Sequence, residues 1–129
     1  MARAFRIRFS GLALLAVLLF GMTDLCSFAE EARSTEHFEK HVRPLLVEHC
    51  IKCHGLEKQS GGLRLDQGAA ALAGGDSGPV IRSGKPEESL LMEAVRQTGD
   101  LKMPPKSKLS DAQISSLEKW IKEIGRAHV

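Results

Sequence analysis

The sequence is poor in aromatic side chains and in cysteine. Its 129 residues include one tryptophan, five phenylalanines, no tyrosine and three cysteines. Beyond the first 29 residues the only aromatic side chains are Phe38 and Trp120. A domain of roughly 100 residues buries about two-thirds of its unfolded surface or slightly less, so a core with two aromatic rings is thin. We therefore expect a large apolar group other than a side chain to contribute to this core.

The sequence also has no apolar run that is long enough for a comfortable membrane span. Its longest such run extends from residue 11 to residue 22, after three arginines in the first eight residues. Small residues at Ser27 and Ala29 then suit cleavage after Ala29. This pattern is typical of a secretory signal peptide, which we place at residues 1–29. An uncleaved N-terminal anchor is the alternative.

The chain after residue 29 has no excess of positive or negative charge. The full sequence has 18 Lys and Arg against 16 Asp and Glu, with a pI of about 8.5. Removing the first 29 residues takes away three arginines and Asp24, which leaves 15 of each sign. No basic patch indicates nucleic acid. The sequence thus predicts one domain over residues 30–129 that is periplasmic or otherwise exported, with no membrane span after signal cleavage.

The strongest motif is C-x-x-C-H, formed by Cys50, Cys53 and His54. This pattern attaches a haem covalently: the two thiols add to the two vinyl groups, and the adjacent imidazole reaches the iron from one face. A lone C-x-x-C could instead be half of a zinc site or a redox dithiol. The adjacent His and the lack of a second cysteine pair favour haem.

Three helices are predicted around this motif. The first carries Phe38, has apolar residues at helical spacing, and delivers Cys50; Pro44 either kinks it or starts a second piece. The second begins at Pro86 and ends at Gly99. The third begins at Ser110, with Gln113 completing a capping box. We expect the helix with Phe38 to pack on the helix with Trp120, because both are amphipathic.

A glycine-rich loop separates the first two helices. Eight of the twelve glycines lie between Gly55 and Gly84. Within this stretch Asp66 is a candidate cap for a short helix over residues 67–73, which Gly74 would end. Such a loop suits a backbone that must approach a flat cofactor closely.

Met103 is the candidate second ligand. It lies between two predicted helices, and Pro104 and Pro105 stiffen the chain after it. A methionine is ordinarily core filler, but the haem motif upstream and the lack of a rival in a comparable loop favour ligation. His37, His41 and His49 are expected to be packed or solvated instead.

The order of these features resembles a small class I cytochrome c, and several blocks resemble the planctomycete-type cytochrome c domain more specifically. The resemblance spans about residues 38–125, and the blocks that carry it are residues 42–46, 61–66, 74–79, 84–91, 103–105 and 120–121. The resemblance implies an all-α, class I cytochrome c-like fold with three main helices around one covalent haem c. It also implies attachment through Cys50 and Cys53, with His54 as proximal and Met103 as distal iron ligand. Because this domain is often part of larger multidomain proteins, the chain is either a stand-alone version or part of such a protein.

The function predicted on these grounds is one-electron transfer with a redox partner protein, by a carrier rather than an enzyme. With His and Met on the iron, small substrates cannot coordinate. Two alternatives remain at this point. One is a haem-based sensor or peroxidase-like enzyme with an open distal site. The other is a docking module of a larger periplasmic complex in which haem is structural.

Overall fold

The computed structural model describes Ala29 and residues 31–124, and the compact body discussed below begins at Ser34. All but Ala29 of the predicted signal peptide therefore lies outside the described residues. Among the described residues the body has the α-helices α1 (Arg43–His49), α2 (Gly68–Ala73), α3 (Leu90–Arg96) and α4 (Asp111–Ile124). Residues 34–37 are also α-helical and precede them. Single bridges join His54 to Gln59 and Gly75 to Gly78, and the described residues form no strand. The expected all-α class is confirmed for this part of the chain.

Pro44 lies just after a π-helical turn in a continuous helical segment. A π-helical segment, Phe38–Val42, precedes α1, and the Arg43 N–H donates to the Phe38 carbonyl. Pro44 then lies in the first turn of α1, where a missing N–H costs no helical hydrogen bond. The helical backbone continues through Val42 and Arg43, so Pro44 is the second residue of α1 and does not start a separate helix as its first residue.

The core lies between this N-terminal segment and α4. Val42, Leu117 and Ile121 are completely buried. The rings of Phe38 and Trp120 pack with their centroids 5.4 Å apart, within the range of favourable aromatic pairs. The predicted packing of these two segments is confirmed.

The N-terminus of α4 has the predicted capping box. The Ser110 N–H donates to Gln113 Oε1 over 2.8 Å, and the Gln113 N–H donates to Ser110 Oγ over 3.3 Å. Both bonds satisfy donors that a helix start leaves open.

Three predicted helix boundaries are wrong. The residues after Pro86 form a 3₁₀ turn, Pro86–Glu88, and α3 starts only at Leu90. The buried Ser89 hydroxyl between them donates to the Lys85 carbonyl and accepts the Arg82 N–H, each over 2.9 Å. This local network competes with helix and delays its start.

The other two errors have similar local causes. Asp66 does not cap α2, because both of its carboxylate oxygens accept from Arg64, at 3.0 and 2.8 Å. Helix α3 ends at Arg96 rather than near Gly99, because Gln97 adopts a left-handed conformation (φ 59°, ψ 36°). Gly74 does end α2, as predicted, with φ 87°.

Candidate cofactor site

The C-x-x-C-H motif forms a tight turn at the end of α1. The Cys50 N–H continues the helical pattern by donating to the Leu46 carbonyl over 2.9 Å. The Cys50 carbonyl in turn accepts from the N–H groups of Cys53 and His54, at 3.0 and 2.9 Å. These bonds fold the motif back on itself, so the two thiols and the imidazole line one cavity.

The Cys50 thiol lies in a buried environment, and it forms no disulfide with Cys53. This burial raises the pKa of the Cys50 thiol to about 11, because a thiolate loses solvation in an apolar environment. A reactive dithiol needs a lowered thiol pKa. The Cys50 environment therefore argues against an oxidoreductase dithiol and leaves an apolar thiol facing the cavity.

His54 presents an unsatisfied polar atom. Its backbone is fixed, because its carbonyl accepts the Leu65 N–H over 2.8 Å in addition to the bond to Cys50. Its Nδ1 is buried and has no hydrogen-bond partner. A buried imidazole nitrogen without a partner is costly, and one explanation is that the ring belongs to a site completed by a bound group.

Met103 reaches the same cavity from a distant part of the chain. Its N–H donates to the Ala94 carbonyl in α3 over 3.0 Å, which ties its loop to that helix. Met103 is half-buried and is joined to Pro104 by a cis peptide bond. Pro104 and Pro105 line the cavity beside it.

The cavity has a volume of about 410 Å³, within the range typical of small-molecule and cofactor sites. Its walls are mostly apolar and come from four stretches of the chain. Besides the motif and the Met103 loop, the apolar lining consists of Leu63, Leu65, Val80, Leu90, Leu91, Ala94, Val95 and Leu101. An apolar chamber with two thiols, an imidazole nitrogen lacking a partner and a thioether fits a covalently attached haem.

Sequence reasoning missed several polar residues of the lining. Lys58, Ser60 and Ser77 line the cavity, and they come from the glycine-rich loop and its flanks. There the Asp76 N–H donates to the Gly61 carbonyl over 2.8 Å and brings two loop parts together. No periodic pattern marks such residues, because their position depends on long-range loop contacts.

The other histidines of the described region have different contacts. His37 Nε2 lies 3.1 Å from the Ser116 carbonyl oxygen. The His37 ring packs against the His41 ring, with their centroids 5.2 Å apart. His49 lines the cavity, but its Nε2 lies 3.2 Å from Gln113 Nε2. These contacts agree with the prediction of packed or solvated side chains. His128 lies outside the described residues.

Two further findings concern the described part of the chain. No three His, Cys, Asp or Glu side chains there converge to hold a metal ion, so a zinc site has no ligand set among them. None of the helices there is long and apolar enough to cross a membrane.

A family model described as Planctomycete cytochrome C matches residues 50–107. No curated protein and no solved structure matches the chain. The matched segment begins at Cys50, includes Met103, and supplies nearly all residues of the cavity wall.

Proposed function

We propose that this protein is an exported mono-haem c-type cytochrome that exchanges single electrons with a redox partner protein. Residues 50–107 form a planctomycete-type cytochrome c domain, which implies haem binding. One observation carries the proposal. One apolar cavity is lined by residues from two segments that are about 50 residues apart: Cys50, Cys53 and His54 in the first, and Met103 in the second.

The roles proposed for these residues follow from their chemistry. Cys50 and Cys53 would hold haem c covalently, and His54 and Met103 would bind its iron. Bound there, haem c supplies an iron that changes between the ferrous and ferric states. A thioether ligand favours the reduced state, and the apolar wall keeps water away, which also influences the potential.

Ligation by both His54 and Met103 distinguishes a carrier from an enzyme. A haem enzyme or gas sensor needs a free position for its substrate. The bond from the Met103 N–H to the Ala94 carbonyl supports a fixed Met103, because it anchors this residue to α3 rather than leaving it in a free loop.

Export and the domain boundaries belong to the same proposal. The basic start, short apolar run and Ser27–Ala29 site support a signal peptide over residues 1–29. A cytochrome c domain over residues 30–129, with a class I-like fold, follows it. The order of the helices supports that fold: α1 precedes the C-x-x-C-H motif, α3 lies between the motif and Met103, and α4 follows Met103.

The test is an optical spectrum of the exported protein, ferric and ferrous, with a pyridine haemochrome, for the parent and for Met103→Ala. We expect one covalent haem in both. The weak far-red band of sulfur-ligated ferric haem should be present in the parent and absent from the variant. The variant should also have a lower potential and bind cyanide or carbon monoxide readily.

Met92→Leu is the matched control. Met92 is 1% exposed and belongs to the core rather than to the cavity lining. Its replacement by a side chain of similar volume should leave the far-red band unchanged. A parent protein that lacks this band and already binds carbon monoxide at neutral pH has an open iron site, which would support the sensor or enzyme alternative.

A further inference from the structure

Gln97 has an unusual backbone conformation. Among the residues that the structure describes, it is the single non-glycine residue with a positive φ. It directly follows α3, where its N–H donates to the Ala94 carbonyl over 3.2 Å and the Thr98 N–H donates to the Glu93 carbonyl over 3.3 Å. This pair of bonds is the Schellman ending of a helix, a position that glycine occupies at lower cost. A glutamine here indicates that its side chain contributes something glycine cannot.

The side chain of Gln97 closes the loop that contains Met103. Its Nε2 donates to the Ser107 carbonyl over 3.2 Å. This bond joins the first and the last part of the segment 97–107, which we call the Met loop. Because Ser107 offers a carbonyl oxygen, the carboxamide must donate with its NH₂ group.

The same helix end also fixes the middle of the loop. The Ala94 carbonyl accepts the Met103 N–H over 3.0 Å in addition to the Gln97 N–H. The Met loop is thus held at its start by the helix end, at its middle by Ala94, and at its closure by the Gln97 side chain. Removing the closing bond leaves the backbone of Met103 attached but releases the chain after it.

We propose that Gln97 is a positioning residue for Met103: its side chain closes the Met loop and so keeps the thioether in the cavity. The inference rests on the proposed function, because it assumes that Met103 is an iron ligand. A loop that is closed by an additional hydrogen bond has fewer conformations in which the Met103 thioether lies outside the cavity. An external ligand that competes with Met103 binds only to that displaced fraction, so its apparent affinity measures the closure.

Gln97→Gly gives a test in which backbone strain and loop closure act in opposite directions. Glycine relieves the left-handed conformation and thereby offsets the stability lost with the bond, so the melting temperature should stay close to that of the parent. Loss of the closing bond should nevertheless increase about fivefold the fraction of molecules in which Met103 has left the cavity. A fivefold change corresponds to the free energy of one ordinary hydrogen bond. Cyanide should therefore bind the ferric protein about fivefold more tightly, with a lower reduction potential.

Gln97→Asn is the second variant. Asparagine also tolerates the left-handed conformation and keeps the amide, but it is one methylene shorter and cannot reach Ser107. It should show the same tighter cyanide binding as Gln97→Gly. Gln67→Asn is the matched control, because Gln67 is exposed, makes no side-chain cap bond at α2 and does not line the cavity.

Two results separate this inference from the proposed function. If the parent shows the far-red band, but Gln97→Gly and Gln97→Asn both bind cyanide with the parent's affinity, then Met103 is a ligand and Gln97 does not position it. If the parent lacks the band, Met103 is not a ligand, and both the ligation and this inference are wrong. Tighter cyanide binding by both variants, with parental affinity in Gln67→Asn, supports the inference.

Discussion

The two sides of this molecule are held together differently. The helical frame, which comprises residues 38–49 and α4, buries apolar side chains completely, as Val42, Leu117 and Ile121 show. The loop part of the cavity wall, which comprises residues 50–89 and the Met loop and is called the wall below, has backbone bonds between loops, and its buried side chains, such as Leu65 and Val80, remain 6% exposed. We therefore expect the frame to be stabilised by its own side chains and the wall to depend more on a bound cofactor.

The glycines illustrate the difference. Gly75 and Gly78 of the wall form a turn in which each N–H donates to the other's carbonyl, at 3.1 and 2.8 Å. A side chain on Gly74 would collide with the Gly78 carbonyl, and one on Gly75 with the Gly61 carbonyl. At Gly74 and Gly75 the wall is close-packed through bare backbone, and a side chain there has no room.

The largest effect is expected from removing both attachment thiols. The double variant Cys50→Ala, Cys53→Ala cannot hold haem covalently, and the remaining chain of roughly 100 residues has a marginal core. We expect loss of the cooperative thermal melt followed by circular dichroism. Hydrogen exchange should be accelerated more in residues 55–89 than in α4.

Lys52→Ala is the control for this double variant, because Lys52 lies inside the motif, is exposed and does not line the cavity. Its melt should resemble that of the parent. A double variant with a cooperative melt near the parent's temperature would show that the wall is stable without a covalent haem.

A smaller effect is expected from Trp120→Ala in the frame. Trp120 is half-buried against Phe38, so the free energy of unfolding should fall by about 3 kcal/mol, the lower end for a buried aromatic ring. The visible spectrum should not change, because Trp120 does not line the cavity. Chemical denaturation measures the loss, with the exposed Lys119→Ala as the control. A loss below about 1 kcal/mol would mean that the ring contributes little to the core.

The smallest effect is expected from Gly74→Ala in the wall. Its φ of 87° and ψ of −158° belong to a region that is essentially restricted to glycine. We expect a loss of about 2 kcal/mol, this time with a changed visible spectrum, because the adjacent Gly75 lines the cavity. Gly68→Ala is the control: a methyl group there meets nothing within 4 Å. A Gly74 variant with an unchanged spectrum would contradict the link between the wall and the cofactor.

Local patterns in the sequence determined a large part of this protein. The C-x-x-C-H spacing, the Ser110–Gln113 capping box and the amphipathic segments with Phe38 and Trp120 each involve residues a few positions apart. Their bonds and faces follow from helix and turn geometry alone. The same local rules failed at Asp66, where Arg64 offered a stronger partner.

Tertiary structure decided the remaining features, because they depend on atoms that are distant along the chain. Sequence proximity cannot show that Met103 and Cys50 share one cavity; the bond from the Met103 N–H to the Ala94 carbonyl helps to place Met103 there. Nor can it show that Gln97 takes a conformation typical of glycine, since its side chain reaches Ser107 only once the Met loop has folded. Such contacts form only after chain entropy has been lost elsewhere, so no local pattern predicts them.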